Sequence, residues 1–291
     1  MILEKLKLSL ELTNQNKSSF WEYHLKGKNI LDFENDYGYG NYTKKSFFKS
    51  ILHLFFQIVI FGFSFLKLKE YNLYKKIYSS IGRQIDLNTI RQILTLNLIN
   101  KYKNYTKFKK VCIIGDGKAN FLIGSLNLFE NAQIFVVNLS EVLIDDYLII
   151  IKNKLINEKK LDLVENLEYK IEDYKKIIFI PSNMKNYLYD KEIDLFVNIN
   201  SFQEMNKKEV KEYFKIIKNN KSLLYTCNRA YKKLYDGEEL IFDDYDWGEA
   251  KKIIYEDCLW MKKYYSNAFP FIHSYSGNVK HALVEYNSTN F

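Results

Sequence analysis

The pattern of apolar positions along the chain changes near residue 108. Before it, apolar residues recur at steps of three and four, most clearly over 52–68 and 87–102, which predicts helices. Beyond it, short apolar runs alternate with helical stretches, which is typical of βα units wound into a parallel sheet. The predicted strands occupy residues 111–115, 133–138, 176–180, 194–199 and 222–227, with two further candidates at 252–256 and 279–286.

These elements predict an α/β fold with two parts. Residues 108–291 are expected to form a Rossmann-like domain whose sheet is mainly parallel, with an antiparallel pair at its C-terminal edge. The connections between the strands are long enough for right-handed crossovers. Residues 1–107 are expected to form a helical N-terminal cap that contributes to substrate binding.

The most apolar stretch of the chain, residues 51–66, allows two interpretations. It is shorter than the roughly 20 residues that a helix needs to cross a bilayer, and His53, Gln57 and Ser64 interrupt it. We therefore predict a buried helix. Because lysines flank the stretch on both sides, an interfacial helix with peripheral membrane association is the alternative.

Composition narrows the classes of partner. The net charge of +8 comes almost wholly from lysine, because arginine occurs only at positions 83, 91 and 229. Proteins that read nucleic acid rely on arginine forks, so we expect no nucleic-acid partner. The three widely spaced cysteines fit neither a disulfide framework nor a zinc site. Residues 1–11 lack the pattern of a signal peptide, and we expect a cytoplasmic protein without a bound metal.

A glycine-rich turn follows the first predicted strand. Gly115, Asp116 and Gly117 lie between that strand and a predicted helix at 121–129, where a nucleotide cofactor would approach the backbone. Dinucleotide sites usually have a third glycine three positions later, and this chain has Asn120 there. An S-adenosylmethionine site has no pyrophosphate to bind, so the turn favours that cofactor.

Polar residues also follow the other predicted parallel strands, at the edge where open α/β sheets bind ligands. Asn138 ends the second strand, where the ribose hydroxyls of the cofactor would lie. The cofactor-binding candidates beyond the glycine-rich turn are Asn138, Leu139, Ser140, Pro181, Ser182, Asn198, Asn200 and Ser201.

Several segments, in order along most of the chain, resemble one bacterial family. They are SSFWE (18–22), VCIIGDGKANF (111–121), VVNLSEVL (136–143), DLFVNINSFQEMNKKEVKEYFKII (194–217), LYTCNR (224–229), DDYDW (243–247) and VKHALV (279–284). They are similar to segments of sugar O-methyltransferases linked to the synthesis of surface polysaccharides. The resemblance implies a class I methyltransferase domain, S-adenosylmethionine as cofactor, and a sugar hydroxyl as acceptor in capsule or lipopolysaccharide synthesis.

Two positions depart from the pattern of that family. Ile113 and Asn138 stand where the family usually has acidic residues. A methyltransferase fold that only binds or scaffolds is therefore an alternative, and an NAD-dependent oxidoreductase is another. Nucleotide-linked, lipid-linked and polymeric sugars all remain open as acceptors, and the sequence predicts no oligomeric state.

Methyl transfer to a hydroxyl needs one base within hydrogen-bond reach of the acceptor. Glu204 is the first candidate, because it follows the fourth parallel strand at the cofactor edge. His281 and His273 are the next candidates, since imidazole titrates near neutral pH. The candidates for stacking on a sugar ring, or for an aromatic core, are Tyr231, Tyr235, Tyr245, Trp247, Trp260, Tyr264 and Tyr265.

Overall fold

The computed structural model describes residues 2–13, 17–25 and 46–286. Within these ranges, the first part of the chain is helical, as its apolar spacing predicts. Its helices are α1 (Ile2–Thr13), α2 (Ser19–Leu25), α3 (Phe47–Phe61), α4 (Lys69–Ser80) and α5 (Leu87–Tyr102), and a short 3-10 helix, Ser64–Lys67, separates α3 from α4.

The rest of the described chain alternates strands and helices. The helices are α6 (Asn120–Leu128), α7 (Ser140–Lys152) and α8 (Lys207–Asn219). The strands are β1 (Lys110–Ile114), β2 (Gln133–Asn138), β3 (Leu161–Leu163), β4 (Ile177–Pro181), β5 (Leu195–Ile199), β6 (Leu223–Arg229), β7 (Tyr231–Lys233), β8 (Glu239–Ile241), β9 (Lys251–Asp257), β10 (Lys263–Tyr265), β11 (Ile272–Ser274) and β12 (Val279–Glu285).

One sheet organises the molecule, with the strand order β3-β4-β2-β1-β5-β6-β12-β9. The strands from β3 to β6 in this order are parallel, whereas β12 is antiparallel to both of its neighbours, β6 and β9. The predicted fold class, an α/β Rossmann-like domain with a mostly parallel sheet and antiparallel C-terminal strands, is confirmed. The hairpins β7–β8 and β10–β11 lie outside this sheet and were not among the predicted strands.

Helices cover both faces of the sheet. In β1, Val111 and Ile113 pack into the core that holds α4 to α7, while Cys112 and Ile114 pack into the core that holds α8. Because side chains alternate between the faces of a strand and both faces are covered, the parallel strands are apolar throughout. Residues of α1, α4 and α5 belong to the first core, so these helices and the sheet share one interior. A domain boundary at residue 107 stays a prediction.

Polar side chains set the starts of two helices on these faces. The carboxylate of Asp86 accepts a hydrogen bond of 2.8 Å from the backbone N–H of Thr89 at the start of α5. The side chain of Asn206 accepts one of 2.8 Å from the N–H of Glu209 at the start of α8. The first N–H groups of a helix have no partner within it, so such caps stabilise its end.

Helix α3 corrects the prediction of a buried helix over residues 51–66. Gln57 is its only buried residue, whereas Phe48 is 81% exposed and Phe55 is 58% exposed. Gln57 is buried because its side-chain N–H donates to the carbonyl of Ile85 at 3.0 Å. Apolar residues surround the whole helix, and one packing face cannot bury all of them. No helix in the described ranges is long and apolar enough to cross a membrane.

The packing of α4 on α6 depends on the absence of a side chain at Gly124. A Cβ there would lie 2.3–2.5 Å from the ring and hydroxyl of Tyr74. Tyr74 is fully buried, and its hydroxyl donates to the carbonyl of Asn120 at 2.9 Å. The rigid ring therefore has no room to move away from an added methyl group.

We expect Gly124→Ala to lower the free energy of unfolding by about 1–3 kcal/mol, because it overpacks the contact with Tyr74. The sign of this change in unfolding free energy is informative, since replacing glycine by alanine within a helix normally stabilises the helix by about 1 kcal/mol. Urea denaturation measures the effect, with Asn127→Ala at an exposed position of the same helix as the neutral or stabilising control. In a Tyr74→Leu background the loss should shrink or reverse. An unchanged loss there would contradict the proposed contact.

Candidate functional site

A cavity of about 220 Å³ lies at the carboxyl ends of β1, β2 and β5. Its sheet side is lined by Ile113, Ile114, Gly115, Asp116, Gly117, Asn120, Phe121, Asn138, Val142, Val197, Ile199, Asn200, Ser201 and Glu204. Its other wall consists of Trp21 from α2, Asn88, Arg91 and Gln92 from α5, and Met261. The glycine-rich turn after β1 and the polar segment after β5 therefore meet around one cavity, as the sequence predicted.

The turn after β1 requires glycine at its first position. Gly115 has a φ of +73°, and a Cβ on it would lie only 1.9 Å from Oγ of Ser201. Lys118 and Ala119 also have positive φ values, 57° and 52°. Left-handed backbone costs free energy in residues other than glycine, so this turn must be held by contacts from outside it.

Asp116 occupies the N-terminus of α6. Its carboxylate accepts hydrogen bonds from the backbone N–H groups of Phe121 at 3.1 Å and Leu122 at 2.7 Å. Burial raises the pKa of Asp116 to about 6, although these two N–H groups act in the opposite direction. The N–H of Asn120 bonds to the carbonyl of Gly117, at 3.4 Å. The start of α6 is therefore already supplied with acceptors by the chain itself.

Buried charged groups hold the turn from the side away from the cavity. Arg83 is fully buried, donates to the carbonyl of Lys118 at 3.0 Å, and also bonds to the side-chain oxygen of Asn120. Asp146 accepts from the N–H of Ala119 at 2.6 Å, and burial raises its pKa well above the usual range. Lys118 forms a buried ion pair with Asp145 at 2.6 Å. Each residue with positive φ in this turn is thus tied to a buried partner.

Asn138 lines the cavity, and both ends of its amide bond to backbone. Its NH₂ group donates to the carbonyl of Asp116 at 2.7 Å, and its oxygen accepts from the N–H of Leu139 at 2.9 Å. These two partners fix the orientation of the amide. A carboxylate at this position would face the Asp116 carbonyl without a proton to donate. Asparagine is thus compatible with this turn in a way that the acidic residue of the family pattern would not be.

The other candidates near β2 and β4 lie outside this cavity. Leu139 and Ser182 line a smaller neighbouring cavity, and Pro181 pairs with Asn138 in the sheet. Ser140 is fully buried, with its hydroxyl 2.7 Å from that of Ser9 in α1. The structure therefore brings Ser140 and Pro181 to the strand ends but not to the cavity.

Asn198 belongs to a buried hydrogen-bond network behind the cavity. Its NH₂ group donates to the carbonyl of Ile114 at 3.2 Å, and its oxygen accepts from Asn228 at 2.9 Å and from the N–H of Phe202 at 3.2 Å. This network ties the end of β5 to β1 and β6. By contrast, Asn200, which has a φ of 62°, lines the cavity directly.

Glu204 is the acidic residue of the cavity wall that is not used to hold the glycine-rich turn. Burial raises the pKa of its carboxyl to about 8, although the positive charge of Lys232 acts in the opposite direction. The hydroxyl of Ser18 donates to the backbone carbonyl of Glu204, which ties the start of α2 to this segment, and Trp21 of α2 lines the same cavity. Glu204 is therefore poised to exchange a proton at mildly alkaline pH.

The two histidine candidates are not brought to the cavity wall. His281 is buried in β12 with its Nε2 3.5 Å from Glu256, and its ring packs edge-on against Trp260. Burial lowers the pKa of His281, while Glu256 acts in the opposite direction. His273 stacks on Tyr264 in the β10–β11 hairpin, and its Nε2 lies 3.0 Å from the Ser266 hydroxyl. Glu204 is the one candidate base among the three that lines the cavity.

The aromatic candidates also lie elsewhere. Tyr245 and Trp247 are buried under the sheet with α8, and Tyr231 and Tyr235 are exposed. The aromatic residues in the cavity wall are Phe121 of α6 and Trp21, which lies in the SSFWE segment. The described residues contain no group of three or more His, Cys, Asp or Glu side chains arranged to hold a metal ion.

Helix α5 supplies site residues that sequence reasoning missed. Arg91 is buried and bonds to the hydroxyl of Tyr275 at 2.8 Å and to the carbonyl of Lys263 at 3.0 Å, which joins α5 to the β10–β11 hairpin. Gln92 also lines the cavity, and its buried side-chain oxygen accepts no hydrogen bond from the part of the chain described. The sequence did contain a signal for a special role of arginine here, because Arg83 and Arg91 are two of the three arginines in a lysine-rich chain.

Comparison with known proteins finds similarity to solved structures alone. No family model matches the chain, and no curated protein matches it by sequence. Similar solved structures include the methyltransferase domain of bacterial CtHen1 (16% identity, 69% of this chain and 100% of that one, TM-score 0.41). Others are a SAM-dependent methyltransferase from Aquifex aeolicus (12%, 65% and 87%, 0.39) and the N-methyltransferase NodS from Bradyrhizobium japonicum WM9 (8%, 69% and 97%, 0.44). The chain is thus similar to methyltransferase domains in overall fold, and these names specify no sugar acceptor.

We expect Gly115→Ala to lower the free energy of unfolding by about 2–6 kcal/mol, from left-handed strain and from overlap with Ser201. The double variant Gly115→Ala/Ser201→Gly removes the overlapping Cβ and Oγ atoms but leaves the strain, so it should recover about 1–3 kcal/mol. Urea denaturation of both variants, with Ser201→Gly alone as the control, measures the two contributions. Equal losses with and without Ser201 would contradict the close approach.

Proposed function

We propose that the protein is an S-adenosylmethionine-dependent methyltransferase that methylates a sugar hydroxyl. The observation that carries the proposal is the charge at the start of α6. Asp116 accepts from both N–H groups that would otherwise point at a ligand, and its carboxylate adds negative charge at that position. A pyrophosphate would be repelled and would find these two donors taken, whereas a cofactor with a positive sulfonium and no phosphate is compatible.

The residues around the cavity fit such a cofactor. Gly115 and Gly117 allow close approach to the backbone, and Val142 and Phe121 offer apolar contacts for a purine ring. Asn138 lies at the end of β2, where it would meet the ribose. The sulfonium of the bound cofactor supplies an electrophilic methyl group. The NAD-dependent alternative is disfavoured by the same acidic helix terminus.

The protein's own contribution to the reaction is to orient an acceptor and remove its proton. Glu204 would accept the hydroxyl proton of the acceptor as its oxygen takes the methyl group, and the cofactor would leave as S-adenosylhomocysteine. Because its pKa is about 8, Glu204 binds that proton more tightly than an ordinary carboxylate would. It must be ionised before the acceptor reacts.

A sugar acceptor is supported by the side chains that face Glu204. Trp21 provides a flat aromatic surface, and Asn88 and Gln92 provide amides that donate and accept hydrogen bonds. The free acceptor on Gln92 suits a ligand hydroxyl. These features agree with the sequence resemblance to sugar O-methyltransferases of surface polysaccharide synthesis. A scaffold protein would need none of these side-chain features, and the binding test below distinguishes an enzyme from a scaffold.

We expect titration calorimetry to detect binding of S-adenosylmethionine and S-adenosylhomocysteine with Kd values of about 1 μM to 1 mM, and no binding of NAD. The physical reason is the anionic start of α6, which excludes phosphate. NAD binding without binding of S-adenosylmethionine would favour the oxidoreductase. Absence of heat with all three ligands would favour a degenerate, scaffolding methyltransferase fold.

We expect Glu204→Gln to reduce methyl transfer about 100-fold or more, since glutamine cannot accept the proton, and to leave the affinity for S-adenosylhomocysteine unchanged. In the unmodified protein, kcat/KM should rise with pH up to about pH 8, because only the ionised carboxylate is a base. Radioactive methyl transfer to nucleotide-linked and lipid-linked sugars measures both effects.

The matched control is Glu22→Gln, which makes the same chemical change on the exposed residue next to Trp21. It should keep wild-type turnover and the same pH profile. If Glu204→Gln retained the rise with pH or full turnover, Glu204 would not be the base.

A further inference from the structure

The inward side of helix α3 carries its polar side chains together with the apolar residues Leu54, Ile58 and Phe61, which pack on the core. The hydroxyl of Ser50 donates to the side chain of Gln84 at 2.7 Å, Nδ1 of His53 lies 2.5 Å from the hydroxyl of Tyr265, and Gln57 bonds to the backbone of Ile85. Its outward face is apolar. We name this face the apolar stripe, formed by Phe47, Phe48, Ile51, Leu52, Phe55 and Val59, each more than half exposed.

The tip of the β10–β11 hairpin extends the apolar stripe. The helix packs against β10, where the ring of Phe56 stacks on Tyr265 at 5.2 Å and lies 6.2 Å from Phe271. Phe269, beside it in the same tip, is 85% exposed. Two separate elements therefore present large apolar side chains next to each other, which soluble proteins rarely leave in water.

The charged residues of α3 and at the base of the hairpin are lysines. Residues 46–69 contain no aspartate or glutamate. Lys49 within α3, Lys67 just beyond it, and Lys262 and Lys263 at the base of the hairpin are exposed. An apolar face bordered by lysines is complementary to a surface with an apolar interior and anionic head groups.

We propose that α3 and the hairpin tip dock on an anionic lipid bilayer, with α3 lying in the plane of the interface. The 15 residues of α3 span about 22 Å, less than the roughly 30 Å hydrocarbon core, so the helix cannot cross the bilayer. The polar inner face stays bonded to the protein while the apolar stripe enters the head-group boundary.

The docking has a consequence for the acceptor, which rests on the proposed function. α3 packs on α5, and α5 supplies Asn88, Arg91 and Gln92 to the cavity wall. A helix in the interface would hold this wall close to the lipid head groups. The acceptor class that this arrangement suits is a sugar linked to a lipid, in preference to a freely diffusing nucleotide sugar.

The test is co-sedimentation of the full chain with vesicles of phosphatidylcholine mixed with phosphatidylglycerol, compared with phosphatidylcholine alone. We expect binding to the anionic vesicles that weakens with added salt. Phe48→Ser/Phe55→Ser should weaken it at least about tenfold, because two large apolar side chains lose their burial in lipid. Leu167→Ser, which changes a 55% exposed apolar residue between β3 and β4, should bind like wild type.

Vesicle binding is measured without catalysis. A negative result for membrane docking is therefore distinguishable from a negative result for the proposed methyl transfer. Absence of vesicle binding, or equal binding by wild type and Phe48→Ser/Phe55→Ser, would overturn the proposal. So would a dimer, seen by analytical ultracentrifugation, that this variant converts to a monomer, because a second copy would then cover the stripe. Thermal melting checks that the double variant is folded. If the double variant is unfolded, Phe269→Ser replaces it, with the same expected loss of vesicle binding.

Discussion

The structure of the site depends on one constraint, the left-handed path of the chain between β1 and α6. Lys118 and Ala119 follow Gly115 into positive φ, a conformation that these side chains resist. Buried hydrogen bonds overcome that resistance, because Arg83 donates to the carbonyl of Lys118 and Asp146 accepts from the N–H of Ala119. Because Arg83 lies just after α4, the N-terminal helices are part of what holds the turn in shape.

The same turn decides what charge the site accepts. In many Rossmann-like proteins the first turn leaves helix N–H groups free for a phosphate. Here Asp116 takes those donors, and Asn138 is bonded to the carbonyl of Asp116. The buried carboxylate of Asp116 therefore caps the N-terminus of α6 and also gives this end of the cavity a negative charge. Selectivity between cofactors would then come from hydrogen bonds made within the chain before any ligand arrives.

Much of the fold could be predicted from the sequence, because parallel strands covered on both faces are continuous apolar runs and Gly115 follows the first of them. The convergence of that turn with Asn200 to Glu204 was also predictable, since parallel strands end at one edge. The cavity wall from α5 was not, because helical periodicity does not show which neighbour a helix packs on. Hydropathy alone failed for α3 for a related reason. It counts apolar residues but does not reveal that the most buried residue of this helix is the polar Gln57.

The contact between Ser18 and Glu204 joins residues 186 positions apart in the chain. Lys17 similarly pairs with Glu141, 124 positions away. Contacts of such long range are entropically costly to form early, and they slow folding relative to local ones. Residues 17–25 are synthesised before these partners, so they reach their final place only after β5 and the turn beyond it have been made. The cavity is thus assembled late in the folding of each new chain. Trp21 completes one wall of the cavity, and the residues of the opposite wall are synthesised after it.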